Sequence, residues 1–113
     1  MLLGDAAHAM LPHLGQGANQ AIEDGVALSV LLEGRDPSEV PDIVSQYEKL
    51  RRVRTEIIQA EARKNGLRYD SGYESLEQRD HEIANSAAFR KSLYDHDVEK
   101  AAIAHLSESR RWP

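Results

Sequence analysis

The chain contains no cysteine. That excludes disulfide staples, thiolate metal sites and cysteine nucleophiles, and it leaves the redox compartment unmarked. No apolar run approaches the ~18 residues a membrane-spanning helix requires. The start, Met1-Leu2-Leu3-Gly4-Asp5, has no basic stretch and soon meets a charge, so it does not read as a secretory signal. A soluble, cytoplasmic protein without a membrane partner is the expectation. A basic excess is missing too: 19 acidic residues face 14 basic ones, a formal charge of -5. With Arg51-Arg52-Val53-Arg54 as the lone basic cluster, nucleic acid is not an expected partner. Finally, no Gly-x-Gly-x-x-Gly follows a strand; Gly15 and Gly17 lie ahead of a helix instead. The dinucleotide-binding βαβ unit is therefore not expected within these residues.

What is present is mainly helical pattern on the scale of one small domain. Met1 to Leu3 read either as the last residues of a strand or as a disordered start. Residues 8-19, HAMLPHLGQGAN, form a polar, glycine-containing loop. A helix is expected from Gly17 to Leu32, ended by Gly34 with Pro37 behind it. Val26, Ala27, Leu28, Val30, Leu31 and Leu32 make it apolar nearly all round, which suits the interior of a larger protein. A longer helix is expected from Pro41 to Lys64, with an inward stripe at Ile43, Tyr47, Leu50, Arg54, Ile57 and Ile58. Gly66 is expected to stop it, leaving 65-74 as a loop. Ser75 would cap a third helix, with Gln78 completing a capping box and Leu76, Ile83 and Ala87 forming a thin apolar line. Asp95 or Asp97 would cap a last helix to Glu108 that turns Val98, Ala101, Ala102 and Leu106 inward. The sum is a loop and about four helices, divided at residues 1-64 and 65-113.

Chemistry concentrates between Gly4 and Asp24. Asp5, beside a glycine at the head of the loop, can accept hydrogen bonds from a ligand hydroxyl or from the loop's own N-H groups. Gly15-Gln16-Gly17-Ala18-Asn19 places a small-residue turn before a helix, where free N-H groups and the helix dipole favour polar oxygens. An ordinary turn explains the same residues. His8 and His13 do not have metal-ligand spacing and have no third ligand nearby in sequence. His81, His96 and His105 read as surface or packing histidines. Arg51, Arg52 and Arg54 read as ion-pairing residues, and Tyr47 as a core residue with a satisfied hydroxyl. Glu23 and Asp24 fit the preference for acids near a helix start. No catalytic residue and no metal ligand stands out.

Taken together, Gly4-Asp5-Ala6-Ala7-His8, Pro12, Gly15-Gln16-Gly17-Ala18-Asn19 and Glu23-Asp24 resemble the second flavin-binding motif of the para-hydroxybenzoate hydroxylase-like FAD-dependent monooxygenases. The salicylate hydroxylase-like branch is the nearest in pattern. Tyr47-Glu48-Lys49-Leu50-Arg51-Arg52-Val53-Arg54-Thr55 resembles the signature of the family's following helix, and the tail with Leu93-Tyr94-Asp95-His96-Asp97 looks like that of fungal members. The resemblance implies a C-terminal helical fragment of an α/β, Rossmann-like FAD-binding monooxygenase. Such an enzyme hydroxylates an aromatic small molecule with FAD, NAD(P)H and O2. It implies that Asp5 binds a ribityl hydroxyl and that Pro12 lies near the isoalloxazine ring. The amides of Gly15, Gln16, Gly17, Ala18 and Asn19 would approach the pyrimidine edge of the flavin. His8 would be structural. The partner implied is the N-terminal FAD-binding portion, and the chain alone is expected to be inactive. A small non-enzymatic helical interaction protein derived from that fold is the alternative.

Overall fold

A computed structural model describes residues 1-109, and among them the regular structure is entirely helical. A short helix, α1 (Asp5–His8), is followed by a 3-10 turn at Pro12–Leu14 and by α2 (Gly17–Leu32). A second 3-10 turn at Pro37–Glu39 leads into the long α3 (Val40–Ser71), and α4 (Leu76–Tyr94) and α5 (Val98–Ser109) complete the chain. Five helices thus replace the expected four. The extra one is α1, a single turn closed by the N-H groups of Ala7 and His8 donating to Gly4 O at 2.9 Å. Met1 to Leu3 precede it as irregular backbone, with no partner strand among the described residues.

Local chemistry accounts for the helix ends. Asp36 and Glu39 form a reciprocal capping box ahead of α3: Ser38 N-H donates to Asp36 Oδ1, and Asp36 N-H donates to Glu39 Oε2, each at 2.9 Å. Ser75 caps α4 by accepting from Gln78 N-H at 3.1 Å. The return bond of that box comes from Glu74 rather than Ser75, whose predecessor's N-H reaches Gln78 Oε1 at 2.8 Å. Of the two candidates for α5, Asp97 is the cap, accepting from Lys100 N-H at 3.0 Å.

α3 corrects the sequence reading most. It runs through residue 64 and past Gly66 to Ser71, and it stops only before Gly72, whose φ is 70°. A glycine weakens a helix by roughly 0.5–1 kcal/mol relative to alanine, which tertiary packing readily offsets. The inward stripe also differs from the apolar pattern. It comprises Ile43, Tyr47, Arg51, Thr55, Ile58, Ala62 and Gly66, whereas Ile57 is half exposed. A charged residue occupies the middle of the stripe because acids on α2 meet it there.

The apolar core is small. Ala27 and Leu31 of α2 pack on Ile43 and Tyr47 of α3, with Leu28, Leu50, Val98 and Leu106 at the margin. α5 thereby covers part of the apolar surface of α2, while Ile22 and Leu32 of that helix face outward. α4 contributes little: Leu93 is its buried residue, and the expected apolar line fails because Leu76 and Ile83 are exposed. No described helix is long and apolar enough to cross a membrane.

Candidate functional site

The site is built around Gly4. Its φ of 58° and ψ of -141° lie in a region that only glycine adopts easily, and a Cβ there would press to 3.3 Å from Ala21 Cβ. This conformation turns the chain directly into α1 and puts Asp5 at its first position. No side-chain cap bond forms there. The Asp5 carboxylate is exposed and has no hydrogen-bond partner among the described residues. It therefore does not serve as the Asx-type cap that was the alternative. Its Oδ1 lies toward α2, where a Cβ built on Gly17 would be 3.6 Å away. The structure thus brings Asp5 and the glycine turn together, although the sequence separates them.

At that turn, Pro12 opens the 3-10 segment and its carbonyl accepts the Gly15 N-H at 3.0 Å. Pro12 is exposed, as are Gly15, Ala18 and Asn19, while Gly17 is half-buried. The first helical bond of α2 runs from Gln20 N-H to Gln16 O, at 2.9 Å. No side chain caps the helix, so the N-H groups of Gly17, Ala18 and Asn19 have no acceptor among the described residues. Gln16 behaves differently. The residue is buried and its Oε1 accepts from Gln20 Nε2 at 3.4 Å, so its side chain is not offered to a ligand.

Beneath this surface lies a buried polar network. Asp24, fully buried, accepts from Gly4 N-H at 2.9 Å and from Arg51 Nε at 2.8 Å, and its Oδ2 lies 2.5 Å from His8 Nε2. Since the carboxylate accepts there, His8 carries its proton on Nε2. Arg51 also donates to Glu23 Oε2 and Gln20 Oε1, both at 2.8 Å. Arg54 forks onto both oxygens of Glu23 at 2.8 Å and reaches Leu93 O at 3.2 Å. Two carboxylates face two guanidinium groups, so the charges of this network balance.

Burial acts to raise the pKa of Asp24, but hydrogen bonds from Arg51, Gly4 and His8 outweigh it and hold the carboxyl below its ordinary range. Glu23 is lowered in the same way, with burial opposed by Arg54 and Arg51. Burial raises the Tyr47 pKa, and the adjacent Asp24 charge adds to that, so the phenol stays protonated. Glu23 and Asp24 therefore serve as partners of α3, not as dipole-compensating acids at a helix start.

The two loop histidines separate. His8 is buried against Asp24, and His13 is directed to α3, its ring centroid 5.7 Å from that of Tyr69. The ion-pairing reading holds for all three arginines: Arg51 and Arg54 pair across helices, and Arg52 pairs with Glu48 and Glu56 on the solvent face of its own helix. Sequence reasoning missed Gln20 and Gln59, the latter donating to Ala9 O at 2.8 Å. A signal for the first existed: Gln16, Gln20 and Asp24 recur every four residues on α2, opposite Tyr47, Arg51 and Thr55 at the same spacing on α3.

The family described as FAD binding domain matches residues 1–62, the stretch that holds both the site and its buried network. The chain belongs to this family. FAD is accordingly its cofactor, and the free carboxylate and free amides described above suit the hydroxyls and polar ring edge of such a group. Among its relatives, an FAD-dependent monooxygenase (notI) of Aspergillus sp. (strain MF297-2) is 49% identical over 75 residues, 64% of this chain and 17% of that protein. The 3-amino-4-hydroxybenzoate 2-monooxygenase of Streptomyces cremeus is 50% identical over 64 residues, 57% of this chain and 16% of that protein. An FAD-dependent monooxygenase (phomE) of Diaporthe leptostromiformis is 35% identical over 120 aligned residues, 98% of this chain and 32% of that protein. The chain thus spans between about a sixth and a third of the length of these relatives.

Proposed function

We propose that this chain supplies the ribityl and flavin-ring half of the cofactor site of an FAD-dependent monooxygenase of the para-hydroxybenzoate hydroxylase-like kind, salicylate hydroxylase-like in branch. The reaction is hydroxylation of an aromatic small molecule with NAD(P)H and O2. Residues 1-64 are the flavin-contacting portion and residues 65-113 a helical tail. The phosphate-binding half comes from further polypeptide, and these residues alone do not turn over. The observation that carries this reading is the unpaired Asp5 carboxylate beside the uncapped N-terminus of α2. Both are polar groups without internal partners among the described residues, and they are held together by a network that leaves them outward.

In this reading Asp5 accepts a hydrogen bond from a ribityl hydroxyl and so fixes the cofactor's rotation about its side chain. The free amides of Gly17, Ala18 and Asn19 meet the pyrimidine edge, while the Gly15 N-H, bonded to Pro12 O, and Gln16 shape the turn that presents them. Together with the positive end of the α2 dipole, they stabilise negative charge that develops on that edge during reduction. Pro12, which has no N-H, presents an apolar surface beside the ring and limits water there. The bound FAD supplies electron transfer from NAD(P)H and activation of oxygen; the protein supplies orientation and polarity. The 3-amino-4-hydroxybenzoate named for one relative supports an aromatic acid as the substrate class.

Titration with FAD, followed by flavin fluorescence and absorbance, tests the reading. Asp5→Ala removes one charged hydrogen bond and should weaken binding by about 10-fold or more, with unchanged helical circular dichroism. The decisive negative is a wild-type chain that takes up no flavin, alone or with a polypeptide supplying the phosphate-binding half.

A further inference from the structure

Gly66 lies in the interior of α3, on its buried stripe, and a Cβ built there would come within 2.8 Å of both Cδ2 and Nε2 of the His13 ring. Any side chain there would meet the ring in its present position, and the ring, at the end of a rotatable side chain on an exposed residue, would have to move. His13 belongs to the Pro12–Leu14 turn, whose closing bond, Gly15 N-H to Pro12 O, is immediately ahead of the free amides of α2. Tyr69, one turn further along α3, flanks the same ring at an interplanar angle of 32°. The other end of the loop is tied to the same helix face by Gln59, which donates to Ala9 O at 2.8 Å. Gln59 and Gly66 are seven residues apart, about 10 Å along the axis, with fully buried Ala62 between them. The loop carrying the proposed flavin contacts is therefore pinned to α3 at two points, one a hydrogen bond and the other a ring seated on bare helix backbone.

We infer that His13 and Gly66 form a ring-and-socket joint that positions the Pro12–Gly17 turn against the flavin, a role resting on the flavin reading of that turn. Neither residue touches the cofactor in this account; they act through the turn. This also explains a glycine in mid-helix, where alanine would favour the helix itself. The joint makes an unusual pair of demands on a single substitution. Gly66→Ala should leave global stability equal or higher, because the His13 ring can swing away, yet it should loosen the turn.

Amide hydrogen exchange and FAD titration on the full chain, with its phosphate-binding partner polypeptide where required, separate the possibilities. In Gly66→Ala, the Gly15 amide should exchange roughly fivefold faster, the thermal midpoint should not fall, and flavin affinity should drop roughly fivefold. His13→Ala should show the same two losses. The double variant His13→Ala/Gly66→Ala should be no worse than His13→Ala alone, because the added methyl then meets empty space. Unchanged Gly15 exchange in Gly66→Ala overturns the joint. Faster exchange with unchanged flavin affinity overturns its positioning role while leaving the packing intact. If the wild type binds no flavin but Gly15 exchange responds as described, the functional reading of the turn fails and the positioning role fails with it, whereas the joint stands as a packing feature.

Discussion

α2 and the first half of α3 hold each other through buried charge, whereas α4 lies against the rest almost without a core. On the first side, Asp24, Gln20 and Arg51 are buried together, and their polar contacts cross between helices or back to Gly4 and His8, apart from those of Gln20 to Gln16 and Glu23. On the other, α4 offers buried Leu93, an ion pair from Glu82 to Arg68, and the Leu93 carbonyl held by Arg54. α3 and α4 are of similar polarity in sequence. What separates them is whether the polar groups converge. Convergent charges order the chain around the proposed flavin contacts, and dispersed charges only keep a helix solvated.

Arg51→Ala should break that contrast hardest. It strands fully buried Asp24 without its main cation, and removing one member of a buried pair costs about 3–5 kcal/mol. Chemical denaturation would show the loss, and a change under about 1 kcal/mol would mean that water or a rotated partner replaces the guanidinium. Leu93→Ala should cost less, about 2 kcal/mol, since it empties a single apolar site at the edge of the molecule.

Acid sharpens the same comparison. Asp24 and Glu23 have folded-state pKa values below their unfolded ones, so their contribution to stability is complete above the unfolded values. It is lost as pH falls from about 4 through the lower folded values. Exchange protection in α2 and α3 should fall steeply in that range, while α4, without such a carboxylate cluster, should change little. A uniform loss across all helices would contradict the division. Ile83→Ala, at a half-exposed position on α4, completes the series with an effect within about 0.5 kcal/mol in the same denaturation measurement.

Much of the architecture was legible from local signals. The Ser75 and Asp97 caps follow from side chains acting on backbone groups within one turn, and the limits of α2 from the glycines at its ends; such signals need no distant partner. The end of α3 was not legible. Gly66 is a stop signal by propensity, but it lies on the buried stripe of α3, where packing against residues far away in sequence, His13 among them, offsets that cost. The inward stripe was misjudged at Ile57 and Arg51 for a related reason. Apolar periodicity cannot register a charge whose counter-ions lie on another helix.

For the candidate site, the sequence by itself determined the chemistry: a carboxylate at Asp5, a proline at Pro12, and a small-residue turn from Gly15 to Asn19 heading a helix. Those residue types and their order set which groups can be offered to a ligand, because each has its donors and acceptors whatever the fold. Only the tertiary structure decided which of them remain available. It turned the Gln16 side chain and His8 inward, left Asp5 unpaired beside Gly17, and sent His13 to α3. The physical reason is that availability depends on satisfaction. A polar group becomes a ligand site only where folding has given it no internal partner, and those partners come from elsewhere in the chain.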